Sequence, residues 1–310
     1  MDMPPKCYVT CGKGGVGKTV CACALGLALA SRGHRTLVIS TDVVSPIGDI
    51  FQVNAKSRPV EVAHNLQVLD LTREDIINLW KIRFGQEVYE VLSSFLPVEK
   101  DIVDYIANAP GIDELFAIYY IYDLARSGKY DIIVWDTAPG AGTLHLLRLL
   151  KIFYTHLIEA ESVYGKLLNF LMKARSLVDS LKRKEPRDPI SLIKKWRSLI
   201  EEIELFLKNE TEFILITTPE KLSITICKNI KKELESFGIK VRKLVINQVV
   251  KELSEEIIRR KYESMLKTMR VIYSELPEVE VRVEIPALEH DICTVDDVRR
   301  LVPYVSRLVD

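Results

Sequence analysis

The segment Gly12-Lys13-Gly14-Gly15-Val16-Gly17-Lys18-Thr19 constrains this chain more than any other stretch of its length. It follows a short apolar run, residues 6–10, and opens a run of small residues, 18–31, that stops near Gly33. Strand, glycine turn and helix in that order leave successive backbone N–H groups pointing inward at a helix N-terminus, where the dipole favours anions. The spacing from Gly12 to Thr19 fits G-x-x-x-x-G-K-[ST], a loop that cradles nucleotide phosphates. It assigns phosphate binding to Gly12, Gly14, Gly15, Val16, Gly17, Lys18, Thr19 and Val20. The Lys18 ammonium is expected to reach the β- and γ-phosphates, and the Thr19 hydroxyl to bind Mg²⁺.

The rest of the chain alternates in a way that suits such a loop. Residues 36–41 are β-branched and apolar throughout, as in a strand buried on both faces of a parallel sheet. Further strands are expected at 66–71, 130–135, 212–217, 240–246, 270–273 and 281–285. Helical stretches between them predict an α/β fold, a doubly wound and mostly parallel sheet of the P-loop NTPase type. Two regions break the alternation and read as helices, one punctuated at Pro97 and Pro110-Gly111 and the other broken at 183–189. In the second, Trp196, Leu199, Ile200, Ile203 and Leu207 share one helical face. The expected division is a nucleotide-binding core of residues 1–71, 129–145 and 211–310, with 72–128 and 146–210 inserted as a helical subdomain.

Composition narrows the function. Forty-three Lys and Arg balance forty-three Asp and Glu, so no net charge draws the chain to nucleic acid. No uncharged apolar run approaches the roughly 20 residues that span a bilayer, and residues 1–6 lack the pattern of a secretory signal. The six cysteines fall on or near expected core elements, and none forms a CxxC pair. Reduced thiols in a cytoplasmic protein fit that pattern, and no zinc is expected. The five histidines show no ligand spacing.

Two carboxylates accompany the loop. Asp42 in Ser40-Thr41-Asp42 follows the second strand, at the sheet edge where α/β folds bind ligands, and could orient the attacking water. Asp136 in Asp136-Thr137-Ala138-Pro139 ends another strand and would lie near the Mg²⁺. With Lys13 in KGGVGKT, Asp49, PGIDELFAI at 110–118, Thr143-Leu144 and Asn247-Gln248, these motifs run through residues 6–248 in one order. The chain thereby resembles the arsenite-pump and tail-anchored-protein targeting ATPases, within the deviant Walker A class. The resemblance implies MgATP hydrolysis with Asp42 as the catalytic switch residue and Asp136 in the second switch. It also implies adenine recognition by Asn247, with Pro286 extending the match. Lys13 would cross a homodimer interface to the partner's nucleotide.

Both switches depart from the family pattern. DPAHS is Asp42-Val43-Val44-Ser45-Pro46 here, and the second switch, Asp136 to Thr143, lacks its histidine. An arsenite site needs converging soft thiolates, and no cysteine lies between Cys23 and Cys227. The expected client is therefore an apolar protein segment such as a tail-anchor helix, held by the helical regions. Leu167, Leu168, Phe170, Leu171 and Met172 are a candidate apolar block, and Phe153 and Tyr154 stand nearby. The alternative is a partition-like, division-site-like or regulatory ATPase of the same class with another protein partner.

Overall fold

A computed structural model describes residues 5–41, 47–93, 97–138, 141–175, 189–250, 256–288, 292 and 294–309. Side chains are described for these except 141–144, 146, 164, 166–175, 189 and 256–261. The strands are β1 (Cys7–Gly12), β2 (Thr36–Ser40), β3 (Val60–Ala63), β4 (Leu66–Asp70), β5 (Ile132–Asp136), β6 (Thr211–Thr217), β7 (Lys243–Val249) and β8 (Val281–Pro286). The helices are α1 (Lys18–Ser31), α2 (Ile47–Phe51), α3 (Arg73–Trp80), α4 (Gln86–Ser93), α5 (Ile102–Ala107) and α6 (Ile112–Arg126). They continue as α7 (Ala141–Arg175), α8 (Pro189–Asn209), α9 (Lys221–Ser236), α10 (Glu256–Glu275), α11 (Val295–Arg299) and α12 (Val302–Val305). A π-helical turn, Lys81–Gly85, joins α3 to α4.

The eight strands form one sheet in the order β3-β4-β2-β5-β1-β6-β7-β8. Every pair among them is parallel except the edge pair β3–β4. Parallel strands need both faces covered, and the core obeys this. Tyr8, Val38, Val134, Ile214 and Val245 pack into a cluster with α1, α11 and α12. Their neighbours along the strands, Val9, Ile39, Ile133, Leu215 and Ile246, are equally buried. All six residues of β1 are buried, so its C-terminal end projects the glycine loop from the middle of the sheet.

Two expectations about elements change. Residues 270–273 (RVIY) belong to α10 and not to a strand. Met265, Met269, Ile272 and Leu276 are all buried, and their spacing is helical; the short β-branched run is only a local part of that longer pattern. Strand β3 was not expected. It pairs back on β4 through His64-Asn65, with Asn65 at φ 61, a left-handed position that asparagine tolerates well.

The chain divides into two compact units. One comprises Met1–Thr72, Tyr120–His145 and Phe206–Asp310 and holds the whole sheet. The other comprises Arg73–Tyr119 and Leu146–Leu205 and is helical.

Candidate nucleotide site

Parallel pairing brings the ends of β1, β2, β5, β6 and β7 to one edge of the sheet, and the loop from Lys13 to Gly17 sits there. Gly17 is the N-cap of α1 at φ 87, and a Cβ on it would collide with the Asn247 carboxamide. Only glycine meets both demands without strain. A Cβ at Gly15, by contrast, would have nothing within 4 Å, so the loop is open on that side. Lys18 is buried, 6% exposed, as the first residue of the fourteen-residue helix α1. Its positive charge and the N-terminus of that helix together suit an anion.

Behind the loop lies a compact oxygen network. Thr19 donates its hydroxyl to Asp136 Oδ2 at 2.7 Å, and Thr10 donates to Oδ1 at 3.0 Å. Thr137 in turn donates to the Thr10 carbonyl at 2.7 Å. The register that pairs Thr10 with Asp136 across β1 and β5 fixes these contacts. Asp136 is fully buried, and its charge helps burial push the Cys21 thiol up to about 12. Thr19 and Asp136, the two expected Mg²⁺ ligands, are thus already neighbours. Their hydroxyl and carboxylate oxygens are the donors a hard divalent cation takes, so the residues present fit MgATP. Thr10 was not singled out in the sequence. Only the strand register reveals it.

The remaining expected residues fall as follows. Asn247, near the end of β7, donates from Nδ2 to the Val16 carbonyl at 2.9 Å, tying the loop to a strand two places away in the sheet. Gln248 beside it has φ 60, and the β7–β8 register shifts between Ile246 and Val249. That bulge is what turns the Asn247-Gln248 pair out of regular pleating. Pro286 ends β8 opposite Val249 at the same sheet edge. Lys13 forms an ion pair with Glu220 of its own chain at 3.5 Å. Glu220 sits on the turn between β6 and α9, which the Thr217–Ser223 hydroxyl pair braces at 3.0 Å. Val20, in the first turn of α1, packs against the core cluster. Asp42 lies outside the described residues, as do 43–46, but Thr41 before it is described. Thr41 N–H donates to the Asp136 carbonyl at 3.3 Å, and the Trp135 indole donates to the Thr41 hydroxyl at 3.1 Å.

The helical unit contains an apolar cavity of about 310 Å³. Trp80, Phe84, Phe116, Tyr119, Phe153 and Trp196 line it together with aliphatic side chains. The Trp196 indole N–H is buried there without a hydrogen-bond partner among the described residues. Of the block at 167–172, the side chains lie outside those described. Among the described residues, no group of three or more His, Cys, Asp or Glu could hold a metal, and no helix is long and apolar enough to cross a membrane.

A glycine loop at the edge of a parallel sheet, with a buried lysine and a Thr–Asp pair behind it, defines a P-loop ATPase. Residues 6–306 match the anion-transporting ATPase family, and the chain belongs to that family. It is 28% identical to the ATPase GET3C of Arabidopsis thaliana, over 92% of this chain and 80% of that one. It is 30% identical to the ATPase ASNA1 homolog of Trypanosoma cruzi, over 90% and 87% respectively. The Putative arsenical pump-driving ATPase 2 of Aquifex aeolicus is 25% identical over 91% of this chain and 92% of its own length. The chain is an ATPase.

Proposed function

We propose that this ATPase uses MgATP hydrolysis to control the capture of an apolar protein segment of the tail-anchor type. The observation that carries the reading is the apolar cavity of the helical unit, walled by six aromatic rings and no ion pair. Exposed apolar side chains in the same unit, among them Ile82, Tyr105 and Val163, supply surface an apolar helix could cover. Lys18 would face the phosphates, and Thr19 and Asp136 would hold the Mg²⁺, which when bound neutralises phosphate charge. Asp42 orients the attacking water. Asn247 and Pro286 line the base. Two copies meet through their nucleotide faces, and Lys13 leaves Glu220 to reach the partner's nucleotide. A cytoplasmic setting agrees with such a client.

An arsenical substrate is less well supported. Cys7, Cys11, Cys21, Cys23 and Cys227 are buried thiols with no disulfide, and burial raises Cys227 to about 11. Thiols that hold their protons so firmly are poor ligands for a soft ion.

Co-expression with a tail-anchor helix, followed by co-purification in ADP, ATP or no nucleotide, tests the reading. Leu192→Ser with Ile193→Ser alters two half-buried cavity residues. Capture should fall sharply while ATP turnover stays near wild type. Equal capture by both proteins would refute the cavity as the client site.

A further inference from the structure

The face of the sheet beneath α1 is apolar along much of its length. Tyr8 on β1, Ile132 and Val134 on β5, and Ile214 and Ile216 on β6 pack into one cluster with the small residues of that helix. Thr10 and Asp136 continue two of these rows, two residues beyond Tyr8 and Val134, and so point to the same side. Both are buried. A hydroxyl in such a row costs free energy that a valine of like shape would not, unless the hydroxyl has a partner. Here the partner is the carboxylate, with Thr10 donating to Asp136 Oδ1 at 3.0 Å.

Thr10 is held firmly. Its strand runs between two others, and it stands opposite Asp136 on one side and Ile214 on the other. The Thr137 hydroxyl donates to its carbonyl at 2.7 Å, and its branched Cβ restricts χ1. Asp136 has no such stiffness of its own, because the last torsion of an aspartate side chain is broad. Contacts must set the plane of its carboxylate. Two hydroxyls grip it, Thr10 on Oδ1 and Thr19 on Oδ2 at 2.7 Å. An ionised carboxylate only accepts, so each hydroxyl directs its single proton there. For Thr19 this has a chemical consequence: its lone pairs stay open to a cation.

We propose that Thr10 is a positioning residue for metal-assisted ATP hydrolysis: by gripping Asp136 Oδ1 it fixes the carboxylate plane, and through Oδ2 it turns the Thr19 hydroxyl so that its lone pairs serve Mg²⁺. The proposal rests on the reading of Thr19 and Asp136 as the residues that hold Mg²⁺. Groups that orient a metal's ligands from behind commonly set about 10- to 100-fold in metal affinity or activity.

The test measures how far Mg²⁺ strengthens nucleotide binding. Wild type, Thr10→Val, Thr10→Ser and Thr19→Ala are titrated by calorimetry with the non-hydrolysable imido analogue of ATP, once in magnesium chloride and once in EDTA. Thermal unfolding without nucleotide is followed alongside. Thr10→Val keeps the branched shape and removes the hydroxyl. It should bind the analogue in EDTA within about threefold of wild type, yet lose about 10-fold or more of the strengthening that Mg²⁺ gives. Thr10→Ser restores the donor and should return that strengthening to within about threefold of wild type. Thr10→Cys, a weaker donor of similar size, stands in if Thr10→Val does not fold and should also lose strengthening. Full strengthening in folded Thr10→Val, or in Thr10→Cys in its place, overturns the proposal even where the unfolding temperature falls, because Thr10 then serves the fold alone. So does a loss in Thr10→Ser as large as that in Thr10→Val. The reading beneath fails separately. If Mg²⁺ strengthens binding by Thr19→Ala as much as by wild type, or does nothing for wild type, Thr19 does not hold the metal and Thr10 has nothing to position.

Discussion

Lys18 shows how one side chain can set nucleotide affinity. It is buried at the N-terminus of the helix that the phosphate loop opens, where a phosphate gains a charged contact. Lys18→Met should therefore remove most of the rise in unfolding temperature that ATP brings. Loss of a charged contact of about 2–3 kcal/mol corresponds to roughly a hundredfold weaker ATP binding by calorimetry. Unchanged affinity would dismiss the phosphate assignment. Gly17, Lys18 and Thr19 were legible because the loop's chemistry is local to eight residues. The Asn247–Val16 bond was not, because its partners are 231 residues apart and meet only once β1 and β7 share a sheet. That bond changes what Asn247→Ala should do. Losing it loosens the phosphate loop, so binding of ATP and GTP should both weaken, with ATP weakened more if the carboxamide also reads the base. Titration of both nucleotides measures the difference, and equal losses assign Asn247 to the loop alone.

Elements were legible where a pattern ran long enough to outvote its parts. The continuous apolar runs of β2 and β6 announce strands buried on both faces, and α1 announces itself by small residues opened by the loop and closed near Gly33. RVIY at 270–273 misled because a run of four residues, three of them β-branched or aromatic, cannot show a 3.6-residue period, whereas Met265, Met269 and Ile272 can. The difference has an experimental sign. Val271 is 42% exposed, so propensity governs it more than packing. On α10, Val271→Ala should stabilise by up to about 0.5 kcal/mol, since alanine is the better helix former. On a strand the same change would destabilise. Ile272→Ala, one residue on and fully buried, should cost about 2–5 kcal/mol. Urea unfolding of the two variants separates the cases.

For the molecule as a whole, alternation gave the α/β class, but strand order is set by pairings between distant segments and had no local signal. The long-range ties also shape the response to acid. Asp131 accepts three hydrogen bonds from Arg35, at 2.6, 2.8 and 3.3 Å, binding the start of β5 to the start of β2. These contacts hold its carboxyl down to about 2, from an ordinary value of 3.8. A depressed folded value means stability that is present above about 4 and lost as the pH falls through about 2. Asp131→Asn should flatten the decline of the urea midpoint across that window. The effect will be small because the pair is largely solvated. A variant that declines as steeply as wild type would assign the acid response to other carboxylates. Equal numbers of acidic and basic residues further predict a solubility minimum near neutral pH, which light scattering across pH 5–9 would detect.

The buried thiols turn the protein into its own reporter of opening. Cys7 on β1, Cys21 and Cys23 on α1 and Cys227 on α9 all carry thiols raised by burial. The thiolate is the nucleophile that attacks an alkylating reagent, so each of these sulfurs stays silent until its surroundings part. Iodoacetamide labelling followed by mass spectrometry would then time the exposure of each sulfur separately. Cys21 and Cys23 on α1 would clock the breathing of the nucleotide floor, and Cys227 on α9 that of the neighbouring helix. Bound nucleotide should slow the first two clocks more than the third.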